Sequence, residues 1–462
     1  MVDDNPWWAG NSIFSEFDSM KPRLFLSPFM ELVTTLPRGR SIILLGPRRV
    51  GKTVMIFHTI KSLLKSGVDS RKILYISVDS PLYSGMSLED MLEMLLKAAK
   101  TDGKEEGYYV FFDEIQYLKD WEIHLKVLCD NRRHIRFVAS GSAAAALKMK
   151  STESGAGRFT HFSLPPVLFC EYLSMTGDSG IVVPTKVEWF GNLTPGYDAV
   201  DIEKLNRRFI DYINFGGYPE VVMSLQMQQN PGRYIKDDIV DKVLLKDLPG
   251  LYGINDSRDL YRLFSHIVFR SGEEFSYEDL SKESGIRKET LKKYLDYLES
   301  AFLIKTLHKI DENARRFQRV TTFKIYITNP SLFAAVFSPL SQNDPAFPHL
   351  VETAVFCQFA GNSDELYYAN WKKGRISGEV DFIRLNPLSQ KPERAVEIKW
   401  SDKYYNHPSE LKSLLSFMAA NKLDRAVVTS ITDGGQRRLD CGTVQFVPTS
   451  LYAYTRGIDS VK

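Results

Sequence analysis

The first third of the chain alternates short apolar runs with amphipathic ones. Ser41 to Leu45 (SIILL), Lys72 to Val78 (KILYISV), Tyr108 to Phe112 (YYVFF) and Ile135 to Ala139 (IRFVA) read as buried strands, and Phe159 to Leu164 as a fifth strand. Val54 to Leu64 and Leu88 to Ala99 carry apolar residues at helical spacing between them. Strands separated by helices predict a parallel sheet covered on both faces. From Cys170 to about Asn255 the pattern turns helical, with helices expected over Asp201 to Asn214, Pro219 to Gln229 and Arg233 to Leu248. Gly216-Gly217 with Pro219 marks a break between two of them, and Asp178 to Gly196, rich in turn residues, reads as a surface insertion. Phe275 to Gly285 predicts a short helix stopped by glycine, Arg287 to Ser300 a longer one, and Phe302-Leu303-Ile304 an extended segment. That order describes a winged helix-turn-helix. A last unit opens at Lys324 to Thr328 and continues through a helix over His349 to Phe356. Strands over Glu365 to Ala369, Gly378 to Ile383 and Arg394 to Trp400 follow.

Composition bounds this picture. A chain of 462 residues is too long for one core and divides into two to four domains. A hydrophobic share of 44% and a charged share of 25% are those of an ordinary soluble globular protein. The net charge of +2 excludes a global attraction to nucleic acid, so any such contact must be local. Ile286 to Lys324 holds ten Lys/Arg against five Asp/Glu, and Arg287, Lys288, Lys292 and Lys293 are its candidate phosphate contacts for DNA or RNA. The four cysteines are scattered and form no CxxC pair, which suits reduced thiols in the cytoplasm. No signal peptide and no apolar run of about 18 residues is expected, so no membrane association is expected either.

The strand at Ser41 runs into Gly46-Pro47-Arg48-Arg49-Val50-Gly51-Lys52-Thr53, which has the form G-x-x-x-x-G-K-T, and a helix follows. Strand, glycine loop and helix in that order predict a phosphate loop for ATP. Gly46 and Gly51 let backbone N–H groups turn toward phosphate oxygens, Lys52 supplies a point charge, and the Thr53 hydroxyl can ligate Mg2+. The strand at Tyr108 ends in Asp113-Glu114, where Asp113 would hold Mg2+ and Glu114 would act as general base on the attacking water. Ser140 ends the fourth strand and either senses the γ-phosphate or caps a helix. Arg132, Arg133 and Arg158 are candidate arginine fingers, supplied within the chain or by a neighbouring subunit of a homo-oligomer.

A second constellation lies near the C-terminus. Asp381 follows Glu379-Val380 on one strand, and Glu397-Ile398-Lys399 stands on the next, with Glu397 and Lys399 expected on one face. An acid followed by E-x-K is the pattern of the PD-(D/E)xK nucleases. Asp381 and Glu397 would clamp Mg2+ or Mn2+, Lys399 would position water, and Glu352, one helix earlier, would add a further acid. A plain solvated face accounts for E-x-K alone; it leaves the paired acid and the helical Glu352 unexplained.

Asn5-Pro6-Trp7-Trp8, GPRRVGKT, FFDEIQYLKDWEIHLK, ASGSA, GRFTHFSLPPVLFCEYL and Phe215-Gly216-Gly217-Tyr218-Pro219-Glu220 together resemble a family of bacterial and archaeal AAA-type ATPases. Its members carry a C-terminal domain of unknown function with a nuclease-like core, and the likeness covers nearly the whole chain. The resemblance implies an α/β protein in four parts. Residues 1–170 would form a P-loop NTPase core with a parallel sheet and 171–255 a helical lid. Residues 256–323 would form a winged helix-turn-helix and 324–462 a restriction-endonuclease-like domain. The reading is an ATPase coupled to a metal-dependent nuclease acting on nucleic acid, in genome defence or mobile-element control. Two alternatives stay open: an ATP-dependent switch that binds nucleic acid or protein without cutting, and an assembly scaffold.

Overall fold

The computed structural model describes residues 1–142, 157–254, 256–311, 322–360, 366–373 and 376–462. Arg315, Arg316 and Arg319 of the basic segment, Glu365, and the last alanine of ASGSA lie outside these residues. The predicted alternation is present as β1 (Ser41–Leu45), α1 (Lys52–Lys65), β2 (Ile73–Ser77), α2 (Leu88–Ala98), β3 (Tyr109–Asp113), α3 (Trp121–Asn131), β4 (Arg136–Gly141) and β5 (Phe159–Ser163). All pairs are parallel, in the order β2-β3-β4-β1-β5. Such a sheet buries both faces, which is why β1 and β4 are buried at every position.

One open edge of this sheet is β2, and the N-terminal motif covers it. The Asn5 amide accepts from Tyr75 N at 2.8 Å and donates to Tyr75 O at 3.0 Å, pairing as a neighbouring strand would. Trp7 and Trp8 both donate their indole N–H to Ile73 O, at 2.9 and 3.0 Å. Side chains thus satisfy backbone groups that no further strand reaches.

The middle of the chain departs from the sequence reading in three places. The insertion expected over 178–196 is an antiparallel hairpin, β6 (Val182–Trp189) and β7 (Asn192–Ala199). Its two-residue turn, Phe190-Gly191, has φ of 48° and 80°, the two positive angles a tight hairpin needs. After α4 (Ile202–Phe215), the helix expected over Pro219 to Gln229 divides into Pro219–Val222 and Leu225–Gln228, because the Ser224 side chain caps the second through Met227 N. The helix expected over Arg233 to Leu248 is wound wide, as π-turns over Gly232–Asp241 and Val243–Asp247.

The rest is one large sheet. Its elements are β8 (Glu274–Ser276), α5 (Tyr277–Ser284), α6 (Lys288–Ser300), β9 (Ile304–Ile310), β10 (Thr322–Ile327), α7 (Phe347–Cys357), β11 (Leu366–Lys373), β12 (Ile376–Leu385), β13 (Pro392–Glu397), β14 (Arg425–Ser430), β15 (Gly435–Leu439), β16 (Gly442–Pro448) and the closing helix α8 (Thr449–Val461). The strand order is β15-β16-β14-β13-β12-β11-β9-β10-β8. The boundary expected between 323 and 324 therefore runs through β10, which pairs with β8 and β9. β9 in turn lies parallel to β11, so the segment after residue 256 and the C-terminal unit share their hydrogen-bond ladder. α8 folds back across the molecule: Ser450 Oγ donates to Asn206 Oδ1 at 2.6 Å, and Tyr454 packs edge-on against Tyr197. Beneath it the buried Gln358 amide accepts from Phe169 N at 2.9 Å and donates to Tyr212 OH at 3.0 Å. One hydrophobic cluster accordingly runs from Trp7 to Ala453, and a second, from Ile310 to Phe446, lies in the C-terminal sheet.

Asn5→Ala strips partners from the buried N–H and C=O of Tyr75. It is expected to lower unfolding free energy by about 1–3 kcal/mol, read by urea denaturation; unchanged stability would remove the edge-sealing role.

Candidate functional site

The loop between β1 and α1 is shaped by its glycines. A side chain at Gly46 would place its Cβ 2.4 Å from Leu164 O, and Gly51 sits at φ +92°. Lys52 is buried, and its ammonium donates to Gly46 O at 3.1 Å and Pro47 O at 2.9 Å, inside the curl of the loop. Burial holds its pKa below the ordinary value, a strain that a bound anion would relieve. Thr53 Oγ1 donates to Asp113 Oδ2 at 2.8 Å, so the two residues expected on Mg2+ already touch. Asp113 also accepts from Tyr75 OH at 3.1 Å and from Ser140 Oγ. Ser140 accepts from Glu114 N at 3.1 Å and so braces the acidic pair; the residues that would follow it in a capped helix lie outside the described ones. Glu114 stands at φ +54°, and its carboxylate accepts from the Gln116 amide. This donor set fits a nucleotide with Mg2+: a buried ammonium, a hydroxyl, and a carboxylate at one strand end.

The phosphate-loop motif places Arg48 and Arg49 among the expected nucleotide ligands. Their backbones stay in the loop, but the side chains leave it. Arg48 makes a two-pronged pair with Asp247 at 2.8 and 2.9 Å, and Arg49 reaches Glu220 at 2.9 Å and Asp238 at 3.3 Å. All three acids lie on the helical segment after α4, which is thereby tied to the loop. From the opposite side, buried Arg23 donates to Val50 O at 2.6 Å and pairs with buried Glu171 at 2.7 Å.

The candidate fingers sit elsewhere. Arg132 and Arg133 precede β4, and Arg158 precedes β5, at the strand ends opposite the loop. At about 3.3 Å per residue that is roughly 17–20 Å away. Arg132 pairs with Glu93 and Arg158 with Asp130, both at 2.6 Å. The within-chain finger is thus corrected: parallel strands carry these arginines to the wrong end of their own sheet.

The C-terminal residues do come together. Phe382 pairs with Val396 between β12 and β13, so one step further Asp381 opposes Glu397. β13 stops at Glu397, earlier than the strand expected through Trp400. The reason is local: Ile398 N turns to Asp381 Oδ2 at 2.8 Å, and Lys399 N turns to Thr429 Oγ1 at 2.8 Å. Lys399 nevertheless lies with Glu397, Nζ to Oε1 at 2.7 Å. Glu352 is turned to other partners, accepting from Lys324 at 2.9 Å and Tyr326 OH at 2.6 Å. Among the described residues no three acidic, His or Cys side chains stand close enough to hold a metal as they are placed. Of the basic residues on α6, Lys288 pairs with Glu278 and Lys292 lies over the Tyr277 ring, while Arg287 and Lys293 are exposed.

Residues 38–173 match the sequence profile of an AAA domain, and residues 206–344 that of a domain of unknown function (DUF8612). The chain contains a P-loop ATPase domain of the AAA type. An uncharacterised protein of Methanocaldococcus jannaschii is 24% identical over 370 residues, 76% of this chain and 74% of that protein. One of Haemophilus influenzae is 24% identical over 353 residues, 74% and 78% of the two. Among solved structures, the Aeropyrum pernix ORC1 protein in complex with DNA is 12% identical. That likeness covers 69% of this chain and 91% of that one, at a TM-score of 0.31. Saccharomyces cerevisiae RIF2 is 15% identical, covering 33% and 60%, at 0.23. The AAA match implies nucleotide use, and no described helix is long and apolar enough to cross a membrane.

Several working residues escaped the sequence reading. Glu171 and Glu220 stood inside stretches that carry the family likeness, yet nothing local tied them to Arg23 and Arg49. Lys324 and Tyr326 open an apolar strand at a spacing of two, which puts both on one face; that lysine was the available signal.

Burial, with Asp381 opposite, pushes Glu397 from the ordinary 4.5 up to about 8. Between those values the fold retains a proton that the unfolded chain has lost, so stability falls as pH rises across that window. In a chelator, the melting temperature is expected to decline from about pH 4.5 to about pH 8. Glu397→Gln, unable to ionise, should flatten the slope; an equal slope in both proteins would show that Glu397 titrates normally.

Proposed function

We propose that this chain couples ATP hydrolysis in its AAA domain to phosphodiester cleavage at a PD-(D/E)xK-type site in residues 324–462, acting on nucleic acid. The observation that carries the second half is Glu397 Oε2, a buried oxygen with no hydrogen-bond partner, opposite Asp381 and beside Lys399. An unpaired buried carboxylate oxygen is costly, and a divalent cation between Asp381 and Glu397 would satisfy it. Mg2+ or Mn2+ held there by these two carboxylates would supply Lewis-acid activation of a phosphoryl oxygen. Ile398 N orients Asp381, Thr429 fixes the Lys399 backbone, and the Lys399 ammonium, beside Glu397, would hold the attacking water. Its charge is secure: burial disfavours it, but Glu397 and Asp381 hold its pKa above the ordinary value. Helices α5 and α6 with strands β8 to β10 would serve as a winged helix, presenting Arg287 and Lys293 to backbone phosphates. The acidic grip of the lid on Arg48 and Arg49 suits a device that nucleotide phosphates could compete for.

A second reading has its own support. Lys324 fills much of the acidic cluster, and no ready-made triad of ligands exists among the described residues, which suits an ATP-driven switch that binds without cutting.

In the AAA domain, Lys52→Ala should abolish ATP binding, while Glu114→Gln should keep binding and slow hydrolysis by roughly 10²-fold or more, the worth of a general base. Wild-type turnover in Glu114→Gln would move the base elsewhere.

For cleavage, Lys399→Ala should leave the ATPase rate near wild type and abolish Mn2+-dependent nicking of DNA or RNA, assayed with and without ATP. A wild type that cuts neither, at any Mn2+ concentration, decides for the switch.

A further inference from the structure

We infer that the C-terminal sheet carries a pocket for a phosphomonoester on the face away from Asp381 and Glu397, built by Arg384, Arg394 and Arg456. Arg384 and Arg394 stand directly opposite each other on β12 and β13. Side chains alternate along a strand, so Asp381 and Glu397 take one face of the sheet, while Phe382, Val396 and the two arginines take the other. Helix α8 covers that second face and brings Arg456 and Asp459 to the same pocket, over a floor of buried Phe382 and Val396. Nothing in this pocket depends on a metal at Asp381 and Glu397.

The charges there are poorly answered from within. Like charges directly opposite on neighbouring strands repel, and Arg394 makes no ion pair among the described residues. Arg456 gives one arm of its guanidinium to Asp459 at 2.6 Å, while its Nε is buried with no hydrogen-bond partner. Arg394 and Arg456 both favour the anionic form of the buried Tyr452 hydroxyl against the cost of burial, so the two guanidiniums converge. Three guanidiniums against one carboxylate among the described lining residues leave an excess of two positive charges, which a phosphomonoester dianion matches. The planar fork of arginine suits phosphate oxygens taken two at a time. Size agrees: the cavity is about 70 Å3. A water needs about 10–15 Å3, so the space holds about five atoms, as many as a phosphate group has. The phosphate can be a terminal one, because Arg394, Tyr452, Arg456 and Asp459 also line a cavity of about 990 Å3 under the β6–β7 hairpin, with room for the group it is attached to.

The test titrates AMP, and a trinucleotide bearing either a 5′-phosphate or a 5′-hydroxyl, into the full chain by calorimetry. It is run in chelator and in a Lys52→Ala background, which silences the phosphate loop. Binding of AMP would show that a free phosphomonoester suffices; binding of the 5′-phosphorylated trinucleotide alone would assign the pocket to the end of a nucleic-acid strand. Arg394→Gln and Arg456→Gln are each expected to weaken that binding by about 10- to 100-fold, the worth of hydrogen bonds to a charged group. In chloride buffer Arg394→Gln should melt no lower than its parent, since it removes a like charge, so the lost affinity is not lost fold. Should it melt lower, Arg394→Lys keeps the charge without the fork and is expected to bind several-fold more weakly than the parent. Equal binding of the 5′-hydroxyl trinucleotide, undiminished affinity in these variants, or no binding of either phosphorylated probe would overturn the pocket.

Discussion

Charge buried in this molecule has to be answered by charge, and the answers determine how its parts are joined. Arg23 and Glu171 are both almost wholly out of water, so neither tolerates loss of the other. Their pairing places a guanidinium on Val50 O and thereby sets the back of the phosphate loop. Lys324 plays the same part at the far end. Its ammonium stays charged in a buried pocket because Glu352, Asp381 and Glu379 outweigh the cost of desolvation. In both places the partner comes from a segment distant in sequence, so satisfying the charge also fastens two parts of the chain.

The hydrogen-bond ladder does the same for the C-terminal half. Because β9 lies beside β11 and β10 beside β9, the helices α5 and α6 are attached to the sheet that carries Asp381 and Glu397. Movement of those helices would be felt along the strands, since ladder bonds and a common core leave little slack. The AAA domain is held through side chains instead. Arg48 and Arg49 on the loop meet Asp247, Glu220 and Asp238, and these pairs are part-exposed, hence weaker and easier to exchange.

Local regularities carried the sequence reading far. The apolar runs gave the first four parallel strands within a residue or two, since a strand buried on both faces reads as a near-continuous apolar run; β5, at the edge of the sheet, is only partly buried. The phosphate loop was legible because glycine, lysine and threonine act there through the backbone they sit on. That Asp381 and Glu397 stand on neighbouring strands was legible because strand patterns are local; Lys399, past the end of β13, meets Glu397 through the turn of the chain there. The same logic misjudged the extent of β13, where Ile398 gives its N–H to Asp381, and missed the wide turns over Gly232–Asp241, where pattern alone cannot separate helix types.

The sequence by itself determined the elements, the phosphate loop with its acidic partner, and the candidate carboxylates, because each depends on residues a few positions apart. Tertiary structure alone decided which charges meet. Arg158 and Ser140 belong to neighbouring stretches, yet strand direction sends one to the far end of the sheet and the other to Asp113. Lys324 could be read as the first residue of a strand; that it sits among Glu352, Glu379 and Asp381 follows from strand order in a nine-stranded sheet. Coulomb energy depends on distance through space, and only the folded chain sets that distance.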